Sequence, residues 1–306
     1  MIKFHRGIDP NRFSESLVRL QNAEWWQNAL EDPDLKIFVR ENYVDIYISG
    51  QSIYKIDFLK AKNNANTNER YINDAPKSKR VNFDIDTGPL IRKGLAETAP
   101  SPTGLEAHDA IKRNARLFAK GEKIDVHALL DNHPDVLDVE ITFGKDIVET
   151  VLGKATTATQ RIDLVTAERV GDQVALVFWE VKRSDNEDLN PRKEKNVINQ
   201  VVNYKKLVDH ARTDIIESYT KVAKNLVALA EASRGKRSVG PAIRAIVDGC
   251  PLVVAPDPEV HIAVVDEGNT RLGDLVTKIE AALKRVEALA GTKVVSGRAR
   301  DMRLER

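Results

Sequence analysis

Two acidic residues and one lysine, Asp163, Glu180 and Lys182, have the types and spacing that metal-assisted chemistry requires. Asp163 lies in a short run of strand-forming residues, and Glu180 and Lys182 are the polar positions at the end of a longer β-branched and aromatic run. Paired carboxylates can hold a divalent metal ion, and a nearby amine can stabilise negative charge that develops at phosphorus. Together these residue types support chemistry on a phosphodiester.

The segment between the two runs predicts a β-hairpin with a defined register. Gly171 and Asp172 form a favoured two-residue turn, because glycine readily adopts the positive φ that the first position needs. Counting outward from this turn places Asp163 opposite Glu180, with their Cβ atoms about 5 Å apart. Side chains alternate along a strand, so Lys182 falls on the same face as both carboxylates.

Carboxylates that face each other repel, so a cation or a proton has to neutralise them. Mg²⁺ suits this role because it takes one or two protein carboxylates and completes its shell with water and phosphate oxygens. We therefore expect a Mg²⁺ site, at which Mn²⁺ can substitute. A Glu-x-Lys pattern is also common on solvated strand edges, and the aspartate placed opposite it is what favours the metal site.

The segment that follows predicts a helix with two polar residues aimed at the same place. Its apolar residues recur at helical spacing over residues 196–208, and Gln200 and Tyr204 lie one turn apart on one face. Basic residues surround the helix, giving a local positive charge suited to a phosphate backbone. They are Arg192, Lys193, Lys195, Lys205 and Lys206. The alternative is an ordinary amphipathic helix with a solvated basic face.

In this order, Asp163, Glu180-Val-Lys182 and Gln200-x-x-x-Tyr204 resemble the PD-(D/E)XK nuclease superfamily, and in particular its branch with a Gln-x-x-x-Tyr helix. The flanking residues Arg-Ile-Asp-Leu and Phe-Trp-Glu-Val-Lys are also similar to that branch. The resemblance covers residues 121–267, and isoleucine stands where the family name has proline. It implies a restriction endonuclease-like fold.

The resemblance also implies a role for each residue of the hairpin. Asp163 and Glu180 would bind the metal ion, with the backbone carbonyl of Val181 as a further ligand. Lys182 would assist the attacking water. The implied reaction is metal-dependent hydrolysis of a phosphodiester bond.

The same resemblance implies that Gln200 and Tyr204 line the active site or contact phosphate. Members of the family often place another acidic residue on the helix before the first strand. Glu122 is our choice for it, because it stands at the start of a helical pattern, where an acid also favours the helix dipole. Glu106 and Glu140 remain alternatives.

The expected fold class is α/β, with an αβββαβ core in which helices flank a mixed sheet. Its elements would be a helix over residues 121–130, a strand over 136–143, the hairpin, the Gln200 helix and a strand over 260–265. Helical patterns at 214–232 and 272–289 follow from their apolar stripes. We assign residues 105–306 to this nuclease-like domain.

Residues 1–97 predict a separate, small α+β domain of unknown role. A helix over residues 13–30 would be followed by a three-stranded meander over 35–40, 44–49 and 52–59. The Pro- and Ser-containing stretch 98–104 is typical of a linker. The tryptophans, Tyr47 and Tyr54 could stack on bases, although aromatic residues of a meander are more often core.

Composition is that of a globular protein, with 42% hydrophobic residues in 306. No apolar run is long enough to span a membrane, and the charged stretch 3–6 is unlike a secretory signal. A single cysteine, Cys250, excludes an internal disulfide framework, so we expect a cytoplasmic location. The net charge of +1 requires any nucleic-acid surface to be local, with 76–80, 234–237 and the tail from 284 as further basic candidates.

These patterns predict a Mg²⁺-dependent nuclease that acts on DNA rather than RNA, in the defence or repair of a microbial cell. It would have no membrane partner, and it could form a homodimer or a larger complex. The competing hypothesis is a catalytically silent module that keeps the fold and binds nucleic acid or a protein partner. An intact set of repelling carboxylates favours the enzyme.

Overall fold

The structure is a computed structural model, and it describes residues 4–58, 64–73, 79–86, 88, 104–153, 160–266, 268, 272–289 and 291–304. The chain forms two compact units. The N-terminal unit comprises Arg6–His127 and Lys221–Val239, and the C-terminal unit comprises Met1–His5, Ala128–Thr220 and Gly240–Arg306. This division differs from the one predicted at residues 98–104, of which 98–103 lie outside the described residues.

Helices and strands alternate irregularly along the chain. In chain order they are α1 (Pro10–Leu20), α2 (Glu24–Glu31), β1 (Lys36–Val39), β2 (Tyr43–Ile48), β3 (Gln51–Asp57), β4 (Asn64–Asn68), α3 (Glu69–Asn73), β5 (Arg80–Phe83), α4 (Gly104–Leu117), α5 (Glu122–Leu129), β6 (Val136–Thr142), α6 (Lys145–Leu152), β7 (Arg161–Val170), β8 (Gln173–Arg183), α7 (Val197–His210), α8 (Arg212–Ala232), α9 (Pro241–Val247), β9 (Leu252–Val253), β10 (Val260–Val265), α10 (Leu272–Leu283) and β11 (Val294–Gly297).

The sheet of the N-terminal unit is antiparallel and has five strands, paired in chain order from β1 to β5. The three strands predicted at 35–40, 44–49 and 52–59 are β1, β2 and β3, and β4 and β5 extend the predicted meander. The prediction of one long first helix was wrong, because it is divided into α1 and α2. β4 escaped prediction because its sequence is Asn-Ala-Asn-Thr-Asn, and asparagine is depleted in strands. Its alternate residues Ala65 and Thr67 are nevertheless fully buried.

Aromatic side chains fill the core between this sheet and its helices. Trp25 lies edge-on to Tyr54 and to Phe83, with ring centroids 5.4 and 5.0 Å apart. Its indole N–H donates to the carbonyl of Ile85 at 2.7 Å. Trp25, Trp26 and Tyr54 are all buried, so they are core residues rather than surfaces on which bases stack.

Arg237 holds the end of α2 in the N-terminal unit. Its guanidinium donates to the carbonyls of Ala29, Leu30, Asp32 and Leu35. Burial lowers the pKa of Arg237 to about 10. The basic stretch 234–237, considered above as a surface for nucleic acid, therefore includes a residue that satisfies the last carbonyls of a helix.

The sheet of the C-terminal unit is mixed. Its strands follow the order β11-β10-β8-β7-β6, with β9 also paired to β8. β6, β7 and β8 are antiparallel neighbours, whereas β9 and β10 run parallel to β8, and β11 runs parallel to β10. The strands predicted at 136–143 and 260–265 are β6 and β10, whereas the short elements α6, α9, β9 and β11 were not predicted.

This arrangement makes β8 a central strand with neighbours along both edges, and it is buried over most of its length. The carboxylate and the amine near its end are thereby held on a rigid support. None of the helices in the described parts of the chain is long and apolar enough to cross a membrane.

Candidate active site

The hairpin of β7 and β8 has the predicted register. Val170 pairs with Gln173 across the turn, and the ladder continues without a shift to Leu164 and Trp179. Gly171 has a φ of 61°, the left-handed conformation for which glycine is favoured at this turn. The regular pairing ends there, and Asp163 and Glu180 are the next residues of the two strands.

Asp163 is held by the strand that it faces. The backbone N–H of Val181 donates to Asp163 Oδ2 at 2.8 Å, and the residue is only 9% exposed. Burial raises the pKa of Asp163, although the Lys182 ammonium and the Val181 N–H oppose the change. A carboxylate here is deprived of water and incompletely compensated, so added positive charge would stabilise it.

Glu180 and Lys182 form a buried ion pair on the same strand. Lys182 Nζ lies 2.5 Å from Glu180 Oε1, and the two side chains are 7% and 2% exposed. The ammonium also donates to the carbonyl of Val181 at 3.4 Å. Lys182 therefore lies against the carboxylate and the carbonyl that were predicted to ligate metal, and a bound cation would have to displace it from them.

Tyr204 closes the other side of the carboxylate pair. Asn196 caps the N-terminus of α7 by accepting from the Asn199 N–H at 3.0 Å, and α7 presents Tyr204 towards the start of β7. There its hydroxyl donates to the carbonyl of Arg161 at 2.7 Å. Burial, followed by the negative charges of Glu180 and Asp163, raises the pKa of the Tyr204 hydroxyl. It therefore remains neutral and anchors the strand that carries Asp163.

Gln200 shares a face of α7 with Tyr204, one turn earlier. Its Oε1 atom is inaccessible to solvent and has no hydrogen-bond partner among the described residues. Leaving a buried amide oxygen unsatisfied costs about 1–3 kcal/mol. This makes Gln200 suited to a ligand, a water or a cation, which would supply the missing partner.

Glu140 lies beside the pair on the neighbouring strand β6. Val139 and Ile141 pair with Leu164 and Ile162, so the position between them is opposite Asp163. Glu140 has a φ of 50°, and such a conformation costs about 1–3 kcal/mol for a residue other than glycine. Its carboxylate is 3.3 Å from Arg161 Nη1.

The third acid of the predicted site has three candidates, which the structure places differently. Glu140 belongs to the same sheet as Asp163, whereas Glu122 begins α5 in the N-terminal unit. The side chain of Glu106 lies outside the described residues. Sequence periodicity favours Glu122 as a helix start, but only the pairing of β6 with β7 identifies Glu140 as the neighbour of Asp163.

The residues present fit a divalent cation with few protein ligands. No group of three His, Cys, Asp or Glu residues suited to a metal occurs in the described ranges. A metal ion bound at this place would be held by Asp163, Glu180 and the Val181 carbonyl. Mg²⁺ is commonly held by one or two carboxylates, with water and phosphate oxygens as its other ligands. The raised pKa of Asp163 and the unsatisfied oxygen of Gln200 both favour positive charge at this place.

The basic residues around α7 do not all face solvent. Lys205 is buried, and its ammonium donates to both carboxylate oxygens of Asp257, at 2.8 and 2.7 Å, and to the Ala288 carbonyl. Lys193 pairs with Glu187. Lys205 therefore has a structural role, and the positive surface next to the site is smaller than the sequence indicates.

Comparison with known proteins assigns no function to this chain, so its function has to be inferred from its residues. No family model matches the chain, and no curated protein or solved structure matches it.

Proposed function

We propose that this chain is a divalent-metal-dependent nuclease that hydrolyses phosphodiester bonds, with DNA as its substrate. One observation carries the proposal. Asp163 and Glu180 are buried at the end of the hairpin, where Asp163 accepts from the Val181 N–H and Lys182 pairs with Glu180. Burying this set without a role in binding is costly, because desolvation of two carboxylates has to be compensated. The ordered likeness to the PD-(D/E)XK superfamily supports the same function.

The element order also supports a restriction endonuclease-like core. In chain order, a helix, three antiparallel strands, a helix and a parallel strand occur as α5, β6, β7, β8, α7 and β10, with most of α5 belonging to the N-terminal unit. This is the αβββαβ order that the resemblance implies, with α6, α8, α9 and β9 as additions. The carboxylates lie on β7 and β8, and Gln200 and Tyr204 lie on α7.

In the proposed reaction a water oxygen bonds to phosphorus, the bond from phosphorus to the leaving oxygen breaks, and the leaving oxygen takes up a proton. The metal ion would lower the pKa of the attacking water and neutralise charge on the phosphate. Asp163, Glu180 and the Val181 carbonyl would hold it. Lys182, released from Glu180, would donate to the attacking water or to a phosphate oxygen, and Tyr204 would keep the Asp163 strand in place.

A catalytically silent nucleic-acid-binding module is the second candidate, and one contact favours it. Glu180 and Lys182 already neutralise each other at 2.5 Å. A pair satisfied in this way can persist as a structural element without any metal ion. The two functions differ in whether phosphodiester cleavage occurs and whether it depends on Lys182.

The test incubates the purified chain with linear duplex, circular duplex and single-stranded DNA and with RNA, in Mg²⁺ or Mn²⁺ and then in EDTA. We expect DNA cleavage that requires metal and falls by about 10²–10³ in Lys182→Ala, the size typical of losing one charge-stabilising donor. Lys221→Ala, an exposed residue on α8, is the matched control and should cleave normally. Cleavage in EDTA, or cleavage unchanged in Lys182→Ala, would overturn the mechanism. Binding without cleavage would favour the silent module.

A further inference from the structure

A concave feature of the C-terminal unit lies between the segment that joins β8 to α7 and one face of α10. It is a groove of about 560 Å³, here called the basic groove, and Asn186, Asn190, Arg192, Leu275, Lys278 and Arg285 are among its lining residues. The segment between β8 and α7 forms one wall of the groove. In the chain this segment lies between Lys182 and Gln200, so it connects the groove to both parts of the candidate active site.

The charge of the basic groove is entirely positive. Arg192, Lys278 and Arg285 line it, and no aspartate or glutamate does. Within the described residues, none of these three cations forms an ion pair. Other cations near the active site, such as Lys205, are paired with carboxylates. Exposed cations gathered around one concavity without counter-charges create a positive potential that attracts anions.

The shape of the groove favours a chain of phosphates over a single one. Lys278 lies on α10, Arg285 follows the end of that helix at Leu283, and Arg192 lies on the segment between β8 and α7, so the three cations are spread over the groove. The volume is that of a site for a small ligand, and a duplex would not enter it. Leu275 and Ala282 add apolar surface, and the Asn186 and Asn190 side chains add polar groups, which suit the sugars and bases of one strand.

We propose that the basic groove is a subsite for the phosphates of one nucleic acid strand. It would hold nucleotides next to the scissile bond, with Arg192, Lys278 and Arg285 each contacting phosphate. This inference rests on the proposed nuclease function for its link to cleavage, but strand binding in the groove can be measured without cleavage.

The test measures binding of a fluorescently labelled single-stranded DNA by anisotropy, in EDTA, to wild type and to Arg192→Gln, Lys278→Gln and Arg285→Gln. Each lost phosphate contact on a single strand lowers the salt slope by about 0.7, which corresponds to about fivefold weaker binding at roughly 0.1 M salt. Lys221→Gln removes the same charge from an exposed lysine of α8 that does not line the groove, and we expect it to bind within twofold of wild type. Equal melting temperatures would show that all variants fold.

Parallel titrations with duplex DNA, a mononucleotide and inorganic phosphate identify the ligand. The proposal predicts that wild type binds the single strand more tightly than any of the other three ligands. It also predicts that the groove variants bind the single strand much more weakly than wild type does, whereas their affinities for the other ligands change little. Groove variants that bind as wild type, a control that weakens binding equally, or a preference for the mononucleotide or phosphate would each overturn it.

A cleavage assay on the same variants separates the two proposals. Wild type that binds through the groove but cuts nothing would contradict the nuclease function and leave the subsite standing. Wild type that cuts while the groove variants bind normally would contradict the subsite and leave the nuclease function standing.

Discussion

At the scale of single residues, Asp163 destabilises the folded protein. Its carboxylate is buried beside a second carboxylate, and burial raises its pKa although Lys182 is close. Such a group is neutralised more easily by a cation than by the protein that surrounds it. Binding and catalytic centres are often destabilising in this way when their ligand is absent.

We predict that Asp163→Asn stabilises the protein while it removes activity. Asparagine can still accept from the Val181 N–H, but it carries no charge. Because the folded pKa of Asp163 is raised, wild type loses stability as pH rises from the unfolded value of 3.8 through the folded one. Near pH 7 the variant should be more stable by roughly 1 kcal/mol, measured by thermal unfolding.

The advantage of this variant should shrink as pH falls through the folded pKa of Asp163, because wild type then becomes neutral at this position too. Asp172→Asn, in the exposed hairpin turn, is the control and should change the free energy of unfolding at neutral pH by less than about 0.5 kcal/mol. An Asp163→Asn protein that is less stable than wild type at neutral pH would show that the carboxylate stabilises the hairpin.

At the scale of elements, the sequence was informative where a local signal determines the geometry. The Gly171-Asp172 turn fixes the register of β7 and β8, and this register brings Asp163 to Glu180. β4 lacked such a signal, because its asparagines are poor strand formers and only its neighbours stabilise it.

Charged residues were the main source of error, since a run of basic residues does not reveal which of them are buried. Arg237 and Lys205 both belonged to candidate nucleic-acid surfaces, yet each is held by polar groups of the fold. Lys278 belonged to none of the candidate surfaces, whereas Arg285 belonged to the basic tail from 284. Only the packing of α10 places both of them around a groove with Arg192.

The end of α2 provides a test of the Arg237 contacts. Arg237→Lys keeps the charge but loses the planar set of donors that reaches several carbonyls at once. We expect the free energy of unfolding to fall by about 2–4 kcal/mol, because buried carbonyls lose their partner. Denaturant unfolding measures the change. Arg234→Lys, at an exposed arginine, should change it by less than about 0.5 kcal/mol.

The start of α9 provides a second test, because its N-cap Gly240 has no room for a side chain. A Cβ there would meet the Asp135 carboxylate at 2.1 Å, and that carboxylate accepts from the N–H groups of Ala242 and Ile243 at 2.9 and 3.0 Å. We expect Gly240→Ala to destabilise the protein by about 1–3 kcal/mol, as overpacking does.

Gly144 is the matched control for this substitution. It is the N-cap of α6 with a similar backbone conformation, and a Cβ there would meet nothing within 4 Å. Any intrinsic cost of alanine at an N-cap is shared by Gly144→Ala, so the difference in unfolding free energy measures the clash alone. Equal effects of the two substitutions would contradict the close packing of Asp135.

At the scale of the whole molecule, function and stability should be linked through the metal ion. A ligand that binds only the folded state at a hundred times its Kd adds about 2.7 kcal/mol of stability. We therefore expect Mg²⁺ to raise the unfolding temperature of wild type by several degrees, and to leave that of Asp163→Asn nearly unchanged. Scanning calorimetry with and without EDTA measures both. An equal increase for the two proteins would mean that the ion binds elsewhere.

The most direct test of the proposed nuclease is DNA cleavage by wild type and Asp163→Asn at equal concentration, in Mg²⁺ and in EDTA. The variant is predicted to be the more stable protein, so its loss of activity cannot be assigned to unfolding. We predict cleavage by wild type in Mg²⁺ alone and a rate at least about 10³-fold lower for the variant, since it loses a ligand of the ion. Cleavage by Asp163→Asn at the wild-type rate, or cleavage by wild type in EDTA, would contradict the proposal.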